Sequence, residues 1–473
     1  MANSDLVYLS GRELAAMIKS KKISPVDVTQ AYLDRITALN PKLNAFITVT
    51  KEQALTQARQ AEKEIAAGKY RGPLHGIPYA PKDILATKGI LTTNGSKVTA
   101  DWVPNFESTV TDRLGKAGAI LLGKLNLLEF AMGSGVLSGF GPARNPWHTD
   151  YSPAGSSSGS GSALAAYLTP LSIGTDTGGS IRGPASFCGI VGLKQTYGRV
   201  SRYGVTTLAW TLDHAGPMTK TVADAAAVLQ VIAGYDPKDP TTSREPVPDY
   251  SKALSGNVKG LRIGIPKSYF FENQIPDSDK STKAAIQKLV DMGATTVEVD
   301  IPHAKYATSA GWVIAMAEAA CFHEKRLREK PQLLDPVVRE RLEAAKFYSA
   351  TDYIKSLRVR SILQQEMAKV FEKCDVMAVS GGGPATRLES PETAKSDVKP
   401  GSRPSGLRGG NTFIGNMTGY PEIVIPCGFT STEPMLPLTI GFYAKPFDEA
   451  TLFRVSHAYE SGTDWHRRRP TLL

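Results

Sequence analysis

The chain has 473 residues, 41% hydrophobic and 21% charged, with 43 glycines and 31 prolines, ordinary globular usage that excludes a disordered or collagen-like polypeptide. Its formal charge of +10 is dispersed among 45 acidic residues, so it reads as a solvated surface and argues against nucleic-acid binding. No apolar run approaches membrane-spanning length, and Met1 to Ser10 lacks a basic stretch followed by an apolar one, so a cytoplasmic protein without a membrane partner is expected.

Ser10 and Glu13 form a capping-box pattern before Leu14, Met17 and Ile18, and Ser24-Pro25-Val26-Asp27 supplies an N-cap, a proline at N1 and an early acid. Two amphipathic helices therefore open the chain. Phe46 to Val49 reads as a strand and Lys51 to Ala67 as a helix stopped by Gly68. From Gly72 to about Pro217 the texture turns to Gly, Pro, Ser and Thr, broken by short apolar runs such as Ala119 to Leu122 and Leu171 to Ile173, which fits short buried strands joined by tight loops.

Thr221-Val222-Ala223-Asp224 then starts a helix ending near Gly234, and the polar, proline-rich Asp236 to Asp249 makes a candidate subdomain boundary. Leu261 to Ile265 and Val297 to Val299 read as strands around a helix, and long helical patterns fill Ala304 to Lys373. Val376 to Val379, Ile423 to Ile425 and Leu438 to Phe442 return to strand character before a closing helix at Phe447 to Tyr459. This alternation implies α/β layers.

Several motifs compete for the chemistry. Gly155-Ser156-Ser157-Ser158-Gly159 matches the GxSxG nucleophile elbow, but the preceding Asp150-Tyr151-Ser152-Pro153 makes a poor buried strand. By composition the tract is a flexible linker; its run into Ala163 to Leu168 instead puts serines at a helix N-terminus, where free N–H groups favour negative charge. Gly118 to Lys124 has P-loop spacing, but Leu125 replaces the hydroxyl residue that holds magnesium, so it reads as a buried strand. Ser396 and Lys399 give an SxxK spacing without supporting context. Cys188, Cys321, Cys374 and Cys427 have neither CxxC spacing nor a nearby histidine, which predicts reduced core thiols and no metal site.

The most informative segment is Leu171 to Leu193, where a strand runs into Thr177-Gly178-Gly179-Ser180. Two glycines before a hydroxyl allow a tight turn that aims successive amides at one point, an oxyanion hole in which one donor is worth about 3 kcal/mol. Ser180 beside it would be the nucleophile, and a serine needs a base. His75 and His214 flank the region; Lys82 ends the uncharged Gly76-Ile77-Pro78-Tyr79-Ala80-Pro81, where burial would favour the neutral amine. The residues alone leave these bases open.

Gly76 to Asp83, Pro153 to Ser162 and Gly174 to Arg182, continuing through Cys188 and Gly192, together resemble the amidase signature family in order and spacing. The resemblance extends to Leu212-Asp213-His214-Ala215-Gly216-Pro217-Met218 and the closing helix, and is weakest between about Lys252 and Ser405. It implies one domain over residues 1–473, an α/β/α sandwich around a large twisted mixed sheet. Residues 72–217 would form its catalytic core, and about 250–405 a variable helical region shaping the substrate pocket.

The resemblance also implies a Ser, cis-Ser, Lys triad of Ser180, Ser156 and Lys82. Backbone donors at Thr177, Gly178, Gly179 and Ser180 would form the oxyanion hole, with Ser157, Asp176 and Arg182 in support, Met132 and Gly133 lining the pocket, and no cofactor or metal. Two departures from the family pattern are Ala154 and Ser158, where glycine is common, and Pro81 before Lys82.

Within this family an uncharged pocket suggests a stand-alone hydrolase of aryl acylamides or carbamates, with esters as a side activity, a small-molecule substrate as partner and a homodimer left open. The alternative is the glutamine-hydrolysing subunit of a tRNA-dependent amidotransferase. Arg408-Gly409-Gly410 before Asn411 to Gly419 lacks the acid that would hold glutamine's amino group, which disfavours it. A catalytically idle scaffold of the same fold is disfavoured because all three triad positions are filled.

Overall fold

The computed structural model describes residues 3–133, 139–272, 274–388 and 411–471. The N-terminal helices form for the local reasons anticipated. Before α1 (Gly11–Lys19) the Ser10 hydroxyl accepts from the Glu13 amide at 3.2 Å and the Glu13 carboxylate accepts from the Ser10 amide at 2.8 Å, closing the capping box. α2 (Pro25–Leu43) starts at Ser24 with proline at N1 and ends at Asn44 in the left-handed conformation. β1 (Phe46–Val49) and α3 (Lys51–Ala66) follow where the sequence places them.

The glycine-rich region contributes β2 (Pro78–Pro81), α4 (Thr109–Lys116), β3 (Ile120–Leu121), β4 (Gly123–Leu125), α5 (Ser158–Ala165), β5 (Leu171–Asp176), α6 (Arg182–Cys188), β6 (Val191–Lys194) and β7 (His214–Thr219). α7 (Val222–Ile232), β8 (Arg262–Pro266), α8 (Pro276–Asp291) and β9 (Thr295–Val299) lead to the helices α9 (Ala307–Glu329), α10 (Pro336–Ala345) and α11 (Ala350–Lys373). The chain closes with β10 (Val376–Ser380), α12 (Phe413–Thr418), β11 (Glu422–Phe429), β12 (Pro437–Ala444) and α13 (Glu449–Ser461).

Ten strands form one mixed sheet in the order β3-β2-β5-β7-β6-β11-β12-β10-β8-β9. β3, β2 and β5 run parallel at one side, β10, β8 and β9 at the other, and the pairs between are antiparallel. β5, β7, β10 and β12 are buried at every residue, so both faces are covered. α5, α6, α7, α8 and α13 are among the helices packed on them, giving the expected α/β/α architecture. A small apolar cluster of Leu164, Ile181, Cys188, Ile190, Met218 and Val424 lies under α5 and α6, which adjoin the candidate serines. No helix among the described residues is long and apolar enough to cross a membrane.

Three local expectations need correction. Ala119 to Lys124 is two strands: a Cβ on Gly123 would lie 2.1 Å from the Thr48 carbonyl oxygen, and after this close approach β4 leaves the large sheet to pair antiparallel with β1. α5 begins at Ser158, so Ser158, Ser160 and Ser162 lie within it and only Ser156 and Ser157 precede it. Three cysteines are buried and reduced, but Cys321 on α9 is exposed. Ser396 and Lys399 lie outside the described residues.

Candidate active site

Lys82 follows β2, its amide donating to the Ile173 carbonyl of β5 at 2.9 Å. Pro81, with no N–H to offer, ends the strand just before this bond. The Lys82 side chain is wholly buried, and its Nζ donates to the Ser156 hydroxyl at 2.7 Å and the Thr175 hydroxyl at 2.8 Å. Burial pushes the ammonium down to about 7, while the Asp176 and Asp213 carboxylates oppose the shift. Ser156 itself is buried and follows a cis peptide bond from Gly155. Ala154 takes the left-handed conformation (φ 59°) that glycine would occupy without strain.

The second strand end carries Ser180. Beyond Asp176, Gly179 adopts φ +125°, and a Cβ on Gly178 would lie 2.6 Å from the Phe413 ring, so this turn accepts only glycine at both positions. The Asp176 carboxylate accepts from the Gly179 amide at 2.8 Å and the Ile181 amide at 3.0 Å. Gly179 is thereby committed within the turn, whereas the amides of Thr177, Gly178 and Ser180 have no hydrogen-bond partner among the described residues. Ser180 is half-buried, and its carbonyl accepts from the Ser157 amide at 3.3 Å. The Ser157 hydroxyl exchanges two bonds of 3.2 Å with the Thr175 backbone.

A buried charge network fixes the turn from below. Arg182 Nε and Nη2 grip Asp176 at 3.0 and 2.8 Å, and the guanidinium also pairs with Glu422 and donates to the Asn416 side chain at 2.6 Å. Burial alone would raise the Asp176 carboxyl, but Arg182, the Ile181 amide and Asn416 together hold it well below the usual carboxylate range. Asp213 accepts from the Thr177 hydroxyl at 2.6 Å and from the Leu208 and Ala209 amides at 2.9 and 3.0 Å; burial pushes its carboxyl up to about 6 against these donors.

The sequence does not single out Thr175, Asp213, Asn416 or Glu422. Glu422 opening the apolar run of β11 is the same kind of lone charge that distinguishes Lys82. Met132 and Gly133 are buried at the end of the segment whose Leu128 amide donates to the Ser156 carbonyl at 3.1 Å. The rival bases are engaged elsewhere: His75 with Glu64 at 3.2 Å and with the Arg71 amide at 3.1 Å, His214 with the Leu212 carbonyl at 2.7 Å. Lys124, of the P-loop spacing, is buried against Asp83 at 3.3 Å and the Leu85 carbonyl at 2.7 Å. Wholly buried, its ammonium is engaged by these partners and by the Thr92 hydroxyl at 2.7 Å.

The amidase family model matches residues 27–453. Over 99% of both sequences the chain is 41% identical to the A subunit of the glutamyl-tRNA(Gln) amidotransferase of Moorella thermoacetica. It also resembles the solved structure of the corresponding polypeptide of Thermotoga maritima, with a TM-score of 0.80 and 30% identity over 97% of this chain and 96% of that one. The native peptide amidase of Stenotrophomonas maltophilia has a TM-score of 0.84 and 31% identity over 98% of both chains.

These findings overturn two expectations. The stand-alone hydrolase of aryl acylamides or carbamates gives way to the amidotransferase alternative, because a likeness along the whole chain outweighs one stretch without an acid. That stretch, Arg408 to Gly410, lies outside the described residues. The expectation of a small-molecule amide or carbamate as the whole of its substrate, with nucleic acid disfavoured, falls with it. Its small-molecule part rested on the uncharged pocket and its nucleic-acid part on dispersed charge, which bears on direct RNA contact and says nothing about membership of an assembly that acts on tRNA.

Proposed function

This chain is a member of the amidase signature family, and from that premise we propose that it is the amidohydrolase component of a glutamyl-tRNA(Gln) amidotransferase. It would release ammonia from the side-chain amide of glutamine for transfer to glutamyl-tRNA(Gln), in the cytoplasm and with partner subunits. The observation that carries this reading is the 41% identity to such a component over 99% of both chains. The bond between the buried Lys82 amine and the Ser156 hydroxyl, 2.7 Å, supports the chemistry.

In the proposed mechanism neutral Lys82 takes the Ser156 proton while Ser156 takes that of Ser180, and Ser180 Oγ forms a bond to the amide carbon. The carbonyl oxygen becomes an oxyanion, received by the amides of Thr177, Gly178 and Ser180, with Gly179 shaping the turn through Asp176. Collapse breaks the C–N bond, and the relay returns its proton to the nitrogen, which leaves as ammonia. Water then hydrolyses the acyl ester and regenerates Ser180. Ser157, Asp176 and Arg182 hold the turn, Met132 and Gly133 border the substrate, residues 72–217 form the core of the site, and the described part of the 250–405 region, residues 250–272 and 274–388, shapes the substrate pocket.

The test is release of labelled ammonia from amide-labelled glutamine, by the chain alone and with partner subunits and glutamyl-tRNA, wild type beside Ser180→Ala. Ammonia release and amidation of the tRNA are expected, with a fall of about a thousandfold or more in the variant. Amidation absent with every component present, or intact in Ser180→Ala, would overturn the reading.

A further inference from the structure

Behind the site, segments far apart in sequence meet on one carboxylate. Glu129 is buried; its Oε1 accepts from the Ser96 hydroxyl and its Oε2 from the Asp335 amide, the latter at 2.6 Å. Its own carbonyl accepts from the Met132 and Gly133 amides at 2.9 and 3.1 Å. Phe130 and Ala131, which follow it, both have positive φ (45° and 62°), a conformation that side chains other than glycine hold only where their surroundings impose it.

This segment reaches both relay residues. On one side the Leu128 amide donates to the Ser156 carbonyl at 3.1 Å. On the other, Asp83, the neighbour of Lys82, accepts from the Thr93 amide and hydroxyl at 2.9 and 2.6 Å, and its carbonyl accepts from the Asn94 amide at 2.9 Å. The Asn94 carbonyl in turn accepts from the Phe130 amide at 2.9 Å. A closed ring therefore runs from Lys82 through Asp83 and the 93–96 turn to the 128–130 segment, joined there by the Asn94–Phe130 backbone bond and the Ser96–Glu129 side-chain bond, and on through Leu128 to Ser156, completed by the Lys82–Ser156 bond. α10 joins it at the same point, through its N-cap Asp335 and through Arg341, whose guanidinium donates to the Met132 carbonyl.

We propose that Glu129 is a positioning residue for the reaction, fixing the spacing of Lys82 and Ser156 and tying that spacing to α10. The proposal rests on the reading of Lys82 and Ser156 as base and relay. A carboxylate suits the task because each oxygen takes a donor from a different element. Glutamine keeps one oxygen for the Asp335 amide and offers an N–H to the Ser96 hydroxyl, whereas alanine strands both donors.

The experiment compares Glu129→Ala, Glu129→Gln and Ser180→Ala in ammonia release from glutamine, with partner subunits present, reading kcat, KM, the pH dependence of kcat and the thermal midpoint. Glu129→Ala is expected to lower kcat about 30-fold or more with KM within about threefold. Its rising pH limb, read as Lys82, which Asp176 and Asp213 also face, moves up from near 7 towards the ordinary lysine range as water reaches the amine; burial pushes the Glu129 carboxyl up to about 7 as well, and Glu129→Gln, which lacks that titration, separates the two groups. Glu129→Gln restores both readouts. A kcat and pH limb unchanged in Glu129→Ala, beside a dead Ser180→Ala, would overturn the role of Glu129 alone; activity surviving in Ser180→Ala would overturn the triad and that role with it. If Glu129→Ala does not fold, Ser96→Ala, which removes one of the two bonds, is read by the same criteria.

Discussion

Replacing Lys82 with methionine should abolish activity yet stabilise the protein at neutral pH. The side chain is wholly buried, and carrying its ammonium from 10.5 down to about 7 corresponds to about 4 to 5 kcal/mol of folding free energy at low pH. Methionine fills similar space without charge, but the Ser156 and Thr175 hydroxyls lose their donor, at about 1 kcal/mol each. The net gain at pH 7 is therefore about 2 to 3 kcal/mol. Between pH 7 and 10.5 the unfolded wild type binds more protons at this site than the native state does, so wild-type stability rises relative to the variant. The gap should close and reverse to a deficit of about 1 to 2 kcal/mol near pH 10.5. Urea titrations of both proteins across this range measure it. A gap that stays constant with pH would refute the assignment of the shift to desolvation.

Gly178→Ala would put a Cβ 2.6 to 2.9 Å from three atoms of the Phe413 ring, and kcat should fall about 100-fold as the donor turn shifts; activity recovered in Gly178→Ala with Phe413→Leu would identify the ring as the cause, and a fully active single variant would contradict it. Asp213→Asn keeps one acceptor for the Thr177 hydroxyl and two amides, so kcat should drop about tenfold or more. Removing this negative charge also disfavours the Lys82 ammonium, so the rising limb of kcat should move below its position near 7, opposite to Glu129→Ala; a limb that moves to higher pH contradicts the electrostatic reading. Arg182→Met leaves Asp176 and Glu422 as buried carboxylates without their shared cation, at about 3 to 5 kcal/mol in chemical denaturation; a change below about 1 kcal/mol would mean the network is not integral to the fold.

What is legible in the sequence divides along the range of the forces involved. The Ser10–Glu13 box, the Ser24-Pro25 start and β1 are decided by neighbours along the chain, and they form as read. β2, β6 and β7 do not stand out as separate strands because they are short, wholly buried and interrupted by Pro78, Gly192, Gly216 and Pro217. Their pairing partners lie up to hundreds of residues away, as with Ile423 opposite Leu193. The candidate triad rests on resemblance; residue chemistry alone leaves Lys82 as one of 55 basic residues. Thr175 and Asp213 stay invisible because what they do depends on contacts with Lys82 and Thr177 that only the folded chain makes.

Burial alone does not single out Lys82, because Lys124 and Lys194 are equally buried and burial pushes the Lys194 ammonium down to about 7 as well. Partner chemistry separates them. Lys194 donates to the Tyr420 and Gln195 carbonyls at 2.6 and 3.2 Å and lies 3.5 Å from His214 Nε2. Because the other imidazole nitrogen faces the Leu212 carbonyl at 2.7 Å, Nε2 is the acceptor. Lys124 faces a carboxylate, a carbonyl and the Thr92 hydroxyl; the carboxylate favours its charged form. Carbonyls and an acceptor nitrogen have no proton to give. Lys82 alone of the three meets two hydroxyls and no carboxylate within ion-pairing distance, and one of those hydroxyls belongs to Ser156. A lone charge in an apolar run is therefore only half of the signal for a buried base; the other half is a hydroxyl positioned to pass it a proton.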